Sequence, residues 1–135
     1  MKKTEKQKMK KLTILFGIVL LLVGCSVKRH YTSRNDLSKS SSYDFGRSKK
    51  DEILYTTFTL KNKFNYPIIL YQVTTSCKCV QTELSKTKLN PNESTEMNVI
   101  FNTEGFKELQ KKVITIETNA PSHYVQFFVQ AEIID

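Results

Sequence analysis

The sequence predicts an all-β, two-layer sandwich for residues 44–135, and three observations predict it. The segment is 92 residues long, close to the ~100 of an immunoglobulin-like sandwich, a size that builds one core and not two. Its apolar residues recur at every second position, the mark of strands with one buried face. Turn signatures interrupt these runs about every ten residues, and no amphipathic helix of convincing length intervenes. About seven antiparallel strands follow from that rhythm, in an Ig-like arrangement.

The chain ahead of this segment reads differently. Residues 1–11 carry six lysines and one glutamate, Leu12 to Val23 form an apolar run of twelve, and Gly24 and Cys25 follow. A charged start, a short apolar run and a small residue at the processing point are the parts of a secretory signal. As a helix the apolar run would be only ~18 Å long, too short for a hydrocarbon core ~30 Å thick. Leu22-Val23-Gly24-Cys25 resembles a bacterial lipobox. That resemblance implies that residues 1–24 are a cleaved lipoprotein signal peptide and that Cys25 becomes a lipidated N-terminus. Each buried methylene of such a lipid contributes ~0.8 kcal/mol, and more than one acyl chain gives stable anchoring.

Residues 25–43 are expected to be the lipidated cysteine and a flexible linker. Ser38-Lys39-Ser40-Ser41-Ser42 is its low-complexity centre, and only Val27, Tyr31 and Leu37 interrupt the polarity before Tyr43. Such a stretch buries too little apolar surface to offset its ordering entropy. The charge is distributed accordingly. The whole chain is +8, but residues 44–135 hold eleven basic and eleven acidic residues. The sandwich is thus neutral and lacks the basic excess of a nucleic-acid-binding domain, so no nucleic-acid partner is expected. The positive excess sits in the leader and beside the lipid, where it either meets anionic head groups or keeps the tether soluble. Surface-exported lipoproteins of the Bacteroidetes type often carry an acidic run after the lipidated cysteine. No such run follows Cys25, so the expected address is the outer membrane, facing the periplasm.

Within the sandwich the elements are read in order. Leu54, Phe58 and Leu60 share one face of a first strand, which ends near Asn62. Ile68 to Val73 form a second, opened by Pro67, and Val80 to Leu84 a third. Asn90-Pro91-Asn92-Glu93 is a turn, because proline presets φ and asparagine tolerates a left-handed conformation. Thr95, Met97, Val99 and Phe101 then alternate with polar neighbours. Phe106 to Lys112 fits either a helical turn or a hairpin connection. Val113 to Thr118 is a β-branched run, Asn119-Ala120-Pro121-Ser122 turns the chain, and Val125, Phe127, Val129, Ala131 and Ile133 mark the last strand. Tyr55, Phe58, Tyr71, Phe101, Phe127 and Phe128 are expected to fill the core. Phe127 and Phe128 are adjacent, so one faces outward, and Phe128 is the expected one.

Several short motifs then line up. Tyr43-Asp44-Phe45-Gly46, Phe58-Thr59-Leu60-Lys61-Asn62, Ser76-Cys77-Lys78-Cys79, Leu89-Asn90-Pro91-Asn92-Glu93, Phe101-Asn102-Thr103 and Ile114-Thr115-Ile116-Glu117-Thr118-Asn119 occur in that order. Together they resemble the bacterial domain of unknown function numbered 1573, common in Bacteroidetes lipoproteins, over residues 43–133. Lys78, Asn92 and Ala131 stand where that pattern usually has glycine. The resemblance implies an Ig-like fold and supplies no activity.

The chemistry-bearing candidates are few. With Cys25 lipidated, Cys77 and Cys79 remain as an even pair in an oxidising compartment. In an extended strand their Cα atoms would lie ~6.6 Å apart, the far limit for a disulfide, so bonding requires a bulge or turn. Three readings stay open: a structural pair of small fillers or a local disulfide; a redox-exchanging disulfide; or two thiolates holding Cu(I). Only His30, His123 and Met97 are at hand as further soft or imidazole ligands after the leader, so no firm metal site is expected. His123 follows a turn and has no nucleophile elbow to serve. Glu93 and Glu96 straddle a turn and a strand start, and do not pair for acid–base work. Asn92-Glu93-Ser94 is a glycosylation sequon by letter only. A phosphate-binding glycine loop is excluded, since only Gly46 and Gly105 follow the leader. The expectation is a non-enzymatic Ig-like interaction domain on a lipid anchor, binding an envelope protein or glycan. The alternative is a thiol-redox or copper-binding protein acting through Cys77 and Cys79.

Overall fold

The computed structural model describes residues 32–37 and 39–135. The proposed signal peptide, Cys25 and His30 lie outside the described residues. Nine strands follow in chain order: β1 (Thr32–Asp36), β2 (Ser41–Lys49), β3 (Ile53–Lys61), β4 (Ile68–Thr75), β5 (Val80–Leu84), β6 (Lys88–Leu89), β7 (Ser94–Asn102), β8 (Glu108–Thr118) and β9 (Tyr124–Ile134). They form a four-stranded sheet, ordered β1-β3-β7-β5, and a five-stranded sheet, ordered β2-β9-β8-β4-β6. The predicted all-β sandwich is the fold.

The alternation read from the sequence decides which side chains meet between the sheets. Phe58 and Leu60 of β3, Met97, Val99 and Phe101 of β7, Ile114 and Ile116 of β8, and Val125, Phe127 and Val129 of β9 are buried. Phe58 and Phe127 meet across the two sheets with ring centroids 5.3 Å apart. Full burial of such side chains contributes about 1.5–3 kcal/mol each.

Four expectations are corrected. Residues 32–43 are not all linker. β1 pairs with β3 and the first residues of β2 pair with β9, both in parallel, and Leu37 between them is fully buried. The sandwich is therefore not wholly antiparallel: β1 and β2 pair in parallel, each at one edge of its sheet. Residues 106–112 form neither a helical turn nor a hairpin. Residues 103–107 carry the chain from β7 in one sheet to β8 in the other, and residues 108–112 are already strand β8, paired with β9. Tyr55 and Tyr71 do not fill the core. They are 62% and 58% exposed, because Tyr55 falls on the odd, outward positions of β3 and Tyr71 sits where the β4–β8 register slips between Leu70 and Gln72. Phe128 does face outward, partly covered by the Lys111 ammonium 4.7 Å above its ring.

Every connection from β1 to β8 passes from one sheet to the other, and the β8–β9 turn is the one hairpin among the described strands. The crossings cluster at the two ends of the sandwich, and the one that carries Cys77 and Cys79 is among them.

Candidate functional site

Most of the short motifs resolve into devices that hold crossings in place. In Asp44-Phe45-Gly46, the Asp44 carboxylate accepts the Gly46 N–H at 2.7 Å. Gly46 takes φ 71° and the β2–β9 register shifts there, a bulge for which glycine pays no Cβ penalty. The Gln130 amide and the Gly46 N–H hold the Asp44 carboxyl below its ordinary value. Asn62 is fully buried. Its Nδ2 lies 2.9 Å from Tyr66 O, 3.1 Å from Leu89 O and 3.1 Å from Asn90 O, while its Oδ1 accepts the Phe64 N–H at 2.9 Å. Its backbone bonds the next turn both ways, donating to Glu93 O and accepting from Asn92 N.

That next turn is of type II, with Pro91 at its second position and Asn92 at φ 64° in its third. The Glu93 N–H closes it on Asn90 O at 3.0 Å. The Glu93 carboxylate accepts from Lys86 Nζ at 2.7 Å and from Asn90 N at 2.9 Å. The Lys86 ammonium and the Asn90 N–H hold its carboxyl below its ordinary value. Glu93 is thus a turn clamp, and Glu96 is an exposed residue of β7. At the far end, the Thr103 hydroxyl accepts Glu52 N and lies within bonding distance of Glu52 O, both at 2.9 Å. Asn119 bonds Ile69 N and Pro67 O. His123 is exposed at φ 56°, with its backbone closing the β8–β9 hairpin.

Two features remain that these devices do not use up. The first is the crossing from β4 to β5, which carries Cys77 and Cys79. The two are joined as a disulfide, with Cα atoms 5.2 Å apart. A turn shortens the extended spacing, because the Val80 N–H bonds Cys77 O at 3.2 Å. Both cysteines are half-buried against the core, and Lys78 between them is exposed. The loop is tied to both sheets. Ser76 bonds Val113 through N–H to O at 2.9 Å and through Oγ from N at 3.0 Å. The Asn102 N–H bonds Cys79 O at 2.9 Å, and the Thr75 hydroxyl donates to Cys77 O at 3.0 Å. Joining residues only two apart removes little chain entropy, about 1.6 kcal/mol, against about 3 kcal/mol for a fifteen-residue loop. With both sulfurs bonded to each other, neither offers a thiolate to a metal. Among the described residues, no three His, Cys, Asp or Glu side chains converge.

The second feature is the edge formed by β5, the strand expected at Val80 to Leu84. Antiparallel pairing with β7 runs without a slip from Val80↔Phe101 to Leu84↔Met97. The flanking bonds Asn102 N to Cys79 O and Ser85 N to Glu96 O fix the alternation. Gln81 and Glu83 therefore point their backbone groups at β7, and Thr82 and Leu84 point theirs away from the sheet. Beside this edge, Tyr55, Thr57, Gln81, Glu83, Asn98 and Ile100 line an open depression on the outer face. Nothing in a short polar strand announces that it lies last in its sheet, so no sequence signal marks this edge.

A two-sheet sandwich with clamped crossings, a cysteine turn and an open edge defines the class. The chain belongs to the family described as "Protein of unknown function (DUF1573)", whose model matches residues 37–133. The match begins at the buried Leu37, ahead of the resemblance seen from Tyr43. No curated protein matches the sequence. Among solved structures, a Porphyromonas gingivalis W83 protein of unknown function is similar with 20% identity and a TM-score of 0.61, over 71% of this chain and 48% of that one. The secreted serine protease VesC of Vibrio cholerae is similar with 13% identity and a TM-score of 0.55, over 68% of this chain and 22% of that one. The Vibrio cholerae VesB protease is similar with 11% identity and a TM-score of 0.56, over 71% and 31%. This chain therefore spans about half the length of the first and less than a third of the proteases. At these identities the likeness is one of fold alone.

Proposed function

We propose that this protein is a lipid-anchored, non-enzymatic envelope module that recognises another envelope protein by strand addition at β5. The open edge of β5 carries this reading. Its pairing with β7 is regular, Thr82 and Leu84 present unused backbone groups, and the adjoining depression offers places for alternate side chains of an added strand. The edge of β2, by contrast, is bulged at Gly46, a device that discourages pairing. The anchor rests on the Leu22-Val23-Gly24-Cys25 lipobox, and the neutral charge of residues 44–135 favours a protein or glycan over nucleic acid. If Cys25 holds the lipid, six residues, and so seven Cα–Cα steps, separate it from β1 at Thr32. They span at most about 25 Å, so the sandwich stays close to the bilayer.

In-cell crosslinking with mass spectrometry tests the reading. Thr82→Pro removes an N–H that points away from β7, so the domain folds while strand addition is blocked. Loss of the crosslinked partner in Thr82→Pro, with an unchanged melting curve, supports strand addition. Retention there, with loss in Tyr55→Ala, replaces it with glycan recognition on the sheet face. Cys25→Ser is expected to move the protein out of the membrane fraction.

A further inference from the structure

We infer that the Cys77–Cys79 disulfide is an exchange site, which accepts two electrons from a protein dithiol while the fold stays intact. The inference rests on which bonds hold the β4–β5 crossing. Ser76 is fixed to Val113 by two hydrogen bonds, Cys77 O receives both Val80 N and the Thr75 hydroxyl, and Cys79 O receives Asn102 N. These five bonds reach both sheets, and none of them involves a sulfur. Opening the disulfide leaves them in place, and the two thiols stay side by side, ready to close again. A bond across two residues adds little to the constraint already supplied.

The surroundings suit exchange. The cysteines are half-buried, not sealed in the core, and Lys78 stands exposed between them. A neighbouring ammonium stabilises the thiolate that leaves when the disulfide is attacked. In the reaction, a thiolate of the partner attacks one sulfur, the Cys77–Cys79 bond breaks, and the other sulfur departs as a thiolate that takes up a proton. The second thiol of the partner, losing its proton, then displaces the remaining cysteine from the mixed disulfide. The partner ends as a disulfide, Cys77 and Cys79 end as two thiols, and two electrons and two protons have moved.

The test equilibrates the full-length chain with graded mixtures of reduced and oxidised glutathione, quenches by alkylation, and reads Cys77 and Cys79 separately from Cys25 by peptide mass spectrometry. Circular dichroism of the same samples reports the fold. The expected result is opening in millimolar reduced glutathione with an unchanged β spectrum. A single-cysteine variant, Cys79→Ser, should trap glutathione on Cys77. Lys78→Gln should slow opening about three- to tenfold, as loss of one nearby cation predicts. A disulfide that stays shut in millimolar reduced glutathione overturns the inference. So does one that opens only as the β spectrum is lost, and so does a Lys78→Gln rate equal to that of the parent chain.

Discussion

Two crossings on either side of β4 are held in opposite ways. The one before it, residues 62–67, depends on Asn62, a buried amide bonded to three carbonyls and one N–H without any covalent link. The one after it, residues 76–79, has a covalent link in addition to backbone bonds into both sheets. From this difference the stronger bond is expected to be the smaller contributor to stability. A buried amide has no replacement when removed, because it leaves the buried Leu89 carbonyl without a donor and strips the turn around it of three further bonds. A disulfide across two residues constrains an unfolded chain that is already nearly as constrained.

The largest expected effect is that of Asn62→Ala. It should lower the urea-unfolding free energy by about 2–3 kcal/mol, as the buried Leu89 carbonyl and three part-buried groups lose their partner together. A shift in midpoint with an unchanged slope would assign the loss to the native state. Replacing both Cys77 and Cys79 by serine should cost about 1.6 kcal/mol or less. A cost equal to that of Asn62→Ala would break the comparison. Thr56 sharpens it from the other side. Its hydroxyl is buried in β3 without a hydrogen-bond partner, so Thr56→Val should raise stability by about 1 kcal/mol, seen as a higher melting temperature.

The smallest effect is that of acid, and it should fall on the Asn62 end alone of these two crossings. The Glu93 carboxyl, held low by Lys86 and Asn90, lies below its ordinary 4.5 in the folded chain. Its contribution is present above pH 4.5 and is lost as pH falls through the depressed folded value. Urea midpoints measured downward from pH 7 should decline for the parent and decline less for Glu93→Gln. Asp44 carries the same sign at the β2 bulge, so the variant should flatten the curve only in part.

What could be read in advance followed from burial. β3, β4, β7 and β9 each keep one dry face, and their alternation was plain from Leu54 to Ile133. Thr-Ser-Arg-Asn-Asp and most of Ser-Ser-Tyr-Asp-Phe-Gly-Arg-Ser-Lys read as polar runs without the alternation that marks a strand, although Tyr43 and Phe45 of β2 pack against the core. Tyr55 was misplaced by its aromatic character, although its parity against Leu54 and Phe58 pointed outward. Cys77 and Cys79 were visible as a pair, but their bonding depended on a turn at Lys78 that replaced the extended spacing. Asn62 is legible as the end of a strand but not as a buried clamp, since an asparagine at such a place is usually a surface turn residue.

The parallel pairing of β2 with β9 joins the beginning of the sandwich to its end. A nascent or threading polypeptide cannot complete the larger layer until residues 124–134 have been delivered. Such a topology delays closure, because distant segments must meet before either is rewarded. The larger layer therefore closes last, once the final strand is available, and a truncation before Tyr124 should leave a chain unable to close.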